Sequence, residues 1–497
     1  MNKYLTTPIY YASGTPHLGH AYTTLVADCY RRYFRLLGHD VKLISGTDEH
    51  GQKIERAALN EGTDTAEFIQ ARSDEFRELW EILGIELDAF VRTTDSDHVA
   101  SVLPFWKTIV AKGDIYLGQY EGLYCVECEQ YFTTGDECPV HRKPLEAFSE
   151  ESYFFRLSRY QSRLIEHIES HDEFILPRER RNEVLSLLKG TELHDLSISR
   201  TSTNWGIPVP RDNRHVMYVW IDALVSYLSA LDKDDFSEFW PSATHFIGKD
   251  ILIFHAVYWP ALLLSAGIEL PRSLKVNGWL TIEGKKIAKS DPDTIVDPAD
   301  LIDEIGTDGL SYFFLKGVPF GGDVDFVRQR VRQLLNADLA NNVGNLISRF
   351  TALVERNFGG VIDVEDPVLL ERDRGLLAEL RSGAENWREA FERAQPHVAA
   401  QEFAAAAASI NRYLQHEEPW LLIKAEENRA RVAVILLVVH AALSSLCVLG
   451  LPFVPVLVAK VRAALCLQGD VCWSSLGELR NHIRTQKVEP VYPRLSV

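Results

Sequence analysis

The chain has 497 residues, 46% of them hydrophobic, and a formal charge of −18 at neutral pH, so it has material for two or more cores. A charge this negative argues against a protein that coats nucleic acid indiscriminately, because such binding draws on Lys and Arg against phosphate; a local basic path remains compatible with it. The opening MNKYLTTPIYYASG lacks the apolar run of a secretory signal and the Arg-rich character of a transit peptide, so a cytoplasmic protein is expected.

Residues 4–11 read as a strand, 12–15 as a small-residue turn, and 18–37 as a helix carrying Leu18, Tyr22, Leu25, Val26, Cys29, Tyr33 and Leu36 at spacings of three and four. A second strand over 40–44 runs into Gly46-Thr47-Asp48. Strand, helix, strand is the βαβ unit of an α/β fold, whose ligand sites lie at the carboxyl ends of the strands. Over 120–151 the pattern changes to short aromatic pieces around Cys, Gly and Pro, as in a small inserted module. Residues 205–270 resume the sheet, and after Arg328 the chain is helical almost throughout. Residues 432–459 contain no Asp, Glu, Lys or Arg and are long enough to cross a bilayer. Pro452, Pro455 and His440 interrupt the run, so a core helix of a bundle is expected and no membrane partner.

The seven cysteines do not look like a secreted disulfide framework. Cys29, Cys447, Cys466 and Cys472 are expected to be buried small apolar residues. The other three form Cys125-x2-Cys128-x9-Cys138-x2-His141, a spacing that suits a closed tetrahedral site of three sulfurs and one nitrogen, normally structural zinc.

Pro16-His17-Leu18-Gly19-His20 opens the first helix, where unpaired N–H groups and partial positive charge favour phosphate. Alone, the two histidines serve equally well as a metal pair or a helix cap. Far downstream, Gly284-Lys285-Lys286-Ile287-Ala288-Lys289-Ser290 places two lysines three apart. They suit a clamp on pyrophosphate charge, or simply a solvated basic loop.

Together these segments resemble the HIGH and KMSKS motifs of class I aminoacyl-tRNA synthetases. Flanking segments narrow the resemblance to the methionyl-tRNA synthetase family: TTPIYYASGTPHLGHAYTT, GTDEHGQKI, NWGIPVP, YVWIDALVSY, FIGKDILIFHAVYWPALL, VPFGGDVDF, NNVGNLISR and EEPWLLIK follow in the family's order. The resemblance implies a Rossmann-like parallel-sheet catalytic domain (1–116 and 205–270), a connective insertion with a zinc knuckle (117–204), a stem with the lysine loop (271–330) and a C-terminal α-helical anticodon-binding bundle (331–497). It implies ATP, accompanied by Mg, L-methionine and tRNA with a CAU anticodon as partners, and a monomer.

By the same resemblance His17, Gly19, His20, Lys286 and Lys289 act on the nucleotide. Ile9, Tyr11, Asp48, Trp220, Ala223, Leu224, Tyr227, Ile251 and His255 form the methionine pocket, with Asp48 meeting the substrate ammonium. Without the family, Trp220 and Tyr227 would be read as core. Arg200 and Asp250 look like supports. Asn345, Arg349 and Trp420 correspond to residues that read the anticodon, although a Trp in the bundle core is the alternative for Trp420. The chain departs from the family in KIAKS for KMSKS, in the following Asp291-Pro292-Asp293-Thr294, and in Asn277 for His, Ser311 for Arg and Ser226 for Asn. These changes bear on the loop's handling of ATP. They keep open a paralogue that adenylates methionine or an analogue for a non-tRNA acceptor; a catalytically silent tRNA-binding protein is a third reading, against which the retained His17, His20, Lys286 and Lys289 speak.

Overall fold

Burial along the first strand explains the architecture. In the computed structural model, which describes residues 1–125, 130–132, 135–138, 142–286 and 296–496, strand β1 (Asn2–Tyr11) is buried continuously over 4–8. Burial on both faces marks a strand sandwiched between helices. Helix α1 (Leu18–Leu36) follows, then β2 (Asp40–Asp48) and β3 (Ala89–Arg92). The chain later adds β4 (Ile175–Leu176), β5 (Thr244–Gly248) and β6 (Ser273–Asn277). Together they form a six-stranded parallel sheet in the order β3-β2-β1-β5-β6-β4. Its core includes Tyr4, Ile44, Trp106, Phe155, Trp240 and Trp259.

Contacts divide the chain into two units, Asn2–Thr23 with Lys42–Asn277, and Met1 and Thr24–Val41 with Gly278–Val497. The first holds the sheet. It also holds a smaller antiparallel one, in which Ile115–Cys125 pairs along its length with Glu146–Phe155, from Ile115 opposite Phe155 to Tyr124 opposite Glu146.

The second unit is mainly helical. Helices Asn345–Phe358, Glu371–Glu392, Pro396–Glu417 and Arg429–Gly450 dominate it. The apolar run expected to be a core helix is one: 94% of its most apolar window is buried within the protein. It ends before the two prolines that break the pattern. Gly450 lets it pack tightly, since a Cβ there would lie 2.7 Å from Phe403. At its other end Arg431 clamps Asp373 with bonds of 2.6 and 2.8 Å. Burial opposes ionisation of Asp373, yet Arg431 and Tyr413 outweigh it and hold the carboxyl below its ordinary value. Two cysteines depart from expectation: Cys29 and Cys447 are buried, but Cys466 is half-buried and Cys472 exposed. They follow the last long helix, where the polar stretch Gln468-Gly469-Asp470 offers no apolar face to bury them.

Candidate active site

The two histidines at the start of α1 cap the helix, and they do so reciprocally. His17 Nδ1 accepts the backbone N–H of Gly19 at 3.1 Å, and His20 Nδ1 accepts the backbone N–H of His17 at 3.1 Å. This is the logic of a capping box with imidazoles in place of Ser and Glu. The rings stack with centroids 3.7 Å apart. A Cβ at Gly19 would lie 3.0 Å from the His17 ring, so glycine leaves room for the imidazole to lie over the helix end. Because each Nδ1 accepts, a neutral ring carries its proton on Nε2, the donor position suited to a phosphoryl oxygen. Tyr10 and Phe76 hold His20, with ring centroids 4.8 and 5.1 Å away.

The residues matched to a methionine pocket lie in the first unit. Helix α2 (Val219–Ser229) presents Trp220, Ala223, Leu224 and Tyr227 at steps of three, four and seven, hence on one face. Trp220 stacks on Phe254 at 3.7 Å and meets the edge of Tyr11 at 6.2 Å. Its indole N–H is buried without an acceptor among the described residues. Ile9 packs where Gly46 has no side chain, a Cβ there coming within 2.9 Å of it. Asp48 ends β2 at 3% exposure, and its carbonyl accepts the Ala12 N–H at 3.0 Å.

His255 has a defined tautomer. Its Nδ1 lies 3.0 Å from the carbonyl of Ile251, which can only accept, so Nδ1 carries the proton. Nε2 then accepts the Tyr227 hydroxyl at 2.7 Å. Burial pushes His255 down to about 4, against the upward pull of the Ile251 bond, so the ring is neutral. Burial, then Tyr10 and Asp48, raises Tyr227, which keeps its proton to donate. Behind them, His245 stacks on Tyr227 at 4.3 Å and bonds Thr6 at 2.7 Å.

Sequence reasoning missed the residues that hold this wall. Glu49, fully buried, accepts from Thr47 and Arg92 at 2.7 Å each and from Thr94. His50 Nδ1 sits 2.7 Å from Asp222 on α2. Lys53 lies over the Tyr11 ring at 4.7 Å. The consecutive acidic and basic residues of GTDEHG were the available signal. Of the two expected supports, Arg200 is buried under Tyr218, 4.3 Å from the ring, and donates to Ser197 Oγ and the Ser199 carbonyl at 3.0 and 2.7 Å. Asp250 folds back over Gly248, where a Cβ would meet its carboxylate at 2.4 Å. Asn277, at the end of β6, accepts from Thr23 at 3.1 Å. Ser226 and Ser311, also departures from the family, carry buried hydroxyls with no partner among the described residues.

Lys286 lies on a short strand, Lys285–Lys286, paired antiparallel with Leu280–Ile282; Lys289 lies outside the described residues. Of the knuckle, Cys125 and Cys138 are each 1% exposed. The Cys138 carbonyl accepts the Arg142 N–H and the Cys138 N–H donates to the Lys143 carbonyl, both at 2.8 Å. Cys128 and His141 lie outside the described residues. Glu151, Asp212 and His215 bring donor atoms within 4.8 Å of one another. Arg214 already neutralises Asp212 at 2.9 Å and Glu151 at 3.1 Å, which makes this an ion network complete in itself. In the second unit, Asn345 and Arg349 are exposed one helical turn apart, and Trp420 is half-buried just after Pro419. Arg349 donates to Asn411 at 2.8 Å.

A family model described as tRNA synthetases class I (M) matches residues 3–147 and 136–351, and one described as the anticodon binding domain of methionyl tRNA ligase matches 365–486. A methionine–tRNA ligase of Clostridium tetani is 39% identical over all of this chain and 79% of its own length. That of Mesorhizobium japonicum is 43% identical over 94% of this chain and 92% of its own. The crystal structure of Mycobacterium tuberculosis methionyl-tRNA synthetase bound by methionyl-adenylate superimposes with a TM-score of 0.95 at 36% identity, covering 99% of this chain and 100% of that one.

Proposed function

The chain belongs to the methionyl-tRNA synthetase family of class I tRNA synthetases, and from that premise we propose how its residues join L-methionine to tRNA at the expense of ATP. A methionine carboxylate oxygen attacks the α-phosphorus of ATP in line and pyrophosphate leaves. The terminal ribose hydroxyl of tRNA then attacks the methionyl carbonyl, and AMP leaves. Neither step needs a covalent enzyme intermediate, so positioning and charge stabilisation supply the catalysis.

His17 and His20 offer Nε2–H donors to the phosphates at the start of α1, and Gly19 gives the His17 ring room to lie over the helix end. Lys286 and Lys289 meet the charge that grows on the leaving pyrophosphate, whose counter-ion is Mg. Asp48 pairs with the methionine ammonium. Tyr11, Trp220, Tyr227 and His255 surround the thioether, a group that interacts favourably with aromatic rings. Asn345, Arg349 and Trp420 take the CAU anticodon, whose unpaired bases invite stacking and edge contacts. Two buried thiols thirteen positions apart, in a spacing with Cys128 and His141 that suits four-ligand zinc, support a knuckle that holds the inserted module in shape. The protein acts as a monomer in the cytoplasm.

The observation that carries this reading is that Asp48, the capping histidines and the aromatic face of α2 all belong to one unit built on the sheet's central strands. Exchange of labelled pyrophosphate into ATP tests it. Exchange that requires methionine is the expected result; methionine-independent exchange, or none, would overturn it.

A further inference from the structure

Asp48, Glu49 and His50 follow one another at the end of β2, and the protein fixes the middle residue from several sides. Beyond its bonds to Thr47, Arg92 and Thr94, Glu49 donates its N–H to Thr93 Oγ1 at 3.0 Å and its carbonyl receives the Trp205 indole N–H at 2.5 Å. These bonds tie the segment to β3 and to the loop bearing Trp205. Toward α2, the tie is His50. Its Nδ1 donates to Oδ2 of Asp222 at 2.7 Å, since an ionised carboxylate can only accept. His50 is 7% and Asp222 0% exposed. Asp222 stands between Trp220 and Ala223, in the turn of α2 that presents the apolar wall. His98, whose Nδ1 is 2.8 Å from Ser229 Oγ, also faces Asp222 and feels its charge.

We propose that His50 is a positioning residue for the amino acid: by holding Asp222 it sets how far α2 stands from Asp48. That gap is the span between the carboxylate for the substrate ammonium and the rings around the thioether. The inference rests on the proposed reading of these residues as the methionine pocket. Methionine is long and flexible, so a site that grips both its ends selects chain length through their separation, and a misplacement of about 1 Å is worth on the order of 100-fold in rate. Glu49 fixes one end of this gauge. The His50–Asp222 bond fixes the other.

The test is methionine-dependent ATP–pyrophosphate exchange with KM measured separately for methionine and ATP. His50→Ala is expected to raise the methionine KM roughly tenfold or more, the order of one misfit methylene, with the ATP KM within about twofold. His50→Asn keeps an N–H donor near the place of Nδ1–H and is expected to restore most of the affinity. Because His50→Ala strands a buried carboxylate, the pair His50→Ala with Asp222→Asn keeps the test open if the single variant does not fold; it should show the same split. Equal rises in both KM values, an Asn variant no better than Ala, or a pair with the parent's methionine KM would overturn the positioning role. Asp48→Asn separates the levels: an unchanged methionine KM in that variant overturns the pocket reading and this inference with it, whereas a raised one leaves the His50 variants to decide the inference alone.

Discussion

Lowering the pH should destabilise the first unit through His255, by an amount the structure allows to be worked out. Burial holds this ring neutral down to about 4, against an ordinary value of 6.5. Between those values the unfolded chain binds a proton that the folded chain refuses, so stability falls as the pH falls through this window and levels off below it. At 1.36 kcal/mol per pH unit the full gap is about 3 kcal/mol, of which about 2 kcal/mol is lost by pH 5. His245, held well below its ordinary value by burial and then by His255, acts in the same direction. A His255→Asn variant isolates the effect, because its amide N–H can still donate to the Ile251 carbonyl while the side chain no longer titrates. Urea unfolding at a series of pH values should give a steeper acid loss for the parent than for the variant. Parallel curves from near pH 7 to near pH 4.5 would refute the claim that His255 is buried neutral.

Tyr227→Phe should leave His255 Nε2 without its donor and destabilise the protein by about 1–3 kcal/mol, the usual penalty for an unsatisfied buried group; chemical denaturation checks this. Cys125→Ser should release about one equivalent of zinc per chain, measured by elemental analysis, and loosen the inserted module, measured as faster amide exchange over 115–155. Trp420→Ala should raise the KM for tRNA by roughly 5- to 150-fold, as the loss of about 1–3 kcal/mol of base stacking would, while methionine-dependent exchange stays at the parent rate. Arg431→Met should cost the second unit about 3–5 kcal/mol, because Asp373 would be left as a buried unpaired charge.

Local signals made the opening of the chain legible. The three-and-four spacing in α1 and the apolar run before it define a βαβ start from sequence alone, and the prolines after residue 450 separate a core helix from a membrane span. What escaped sequence reading depends on long-range geometry. His17 and His20 could be metal ligands or a cap until the direction of their Nδ1 bonds was visible. Arg92 lies 43 residues from Glu49, and Asp222 lies 172 from His50, so no local pattern announces either pair. The burial of a lone cysteine is likewise set by what packs over it: Cys447 sits inside a long core helix, Cys472 in an exposed connection. Family resemblance supplied the candidate pocket residues, whereas the bonds that hold them in place are visible only in the folded chain.

Transfer of methionine to tRNA is the step that tests the proposed function most directly. Purified protein incubated with ATP, Mg, labelled methionine and tRNA bearing a CAU anticodon should yield acid-precipitable methionine linked through an alkali-labile ester, and a tRNA differing only in its anticodon should be charged far more slowly. Methionine-dependent pyrophosphate exchange with no label on tRNA, or equal charging of both tRNAs, would contradict it.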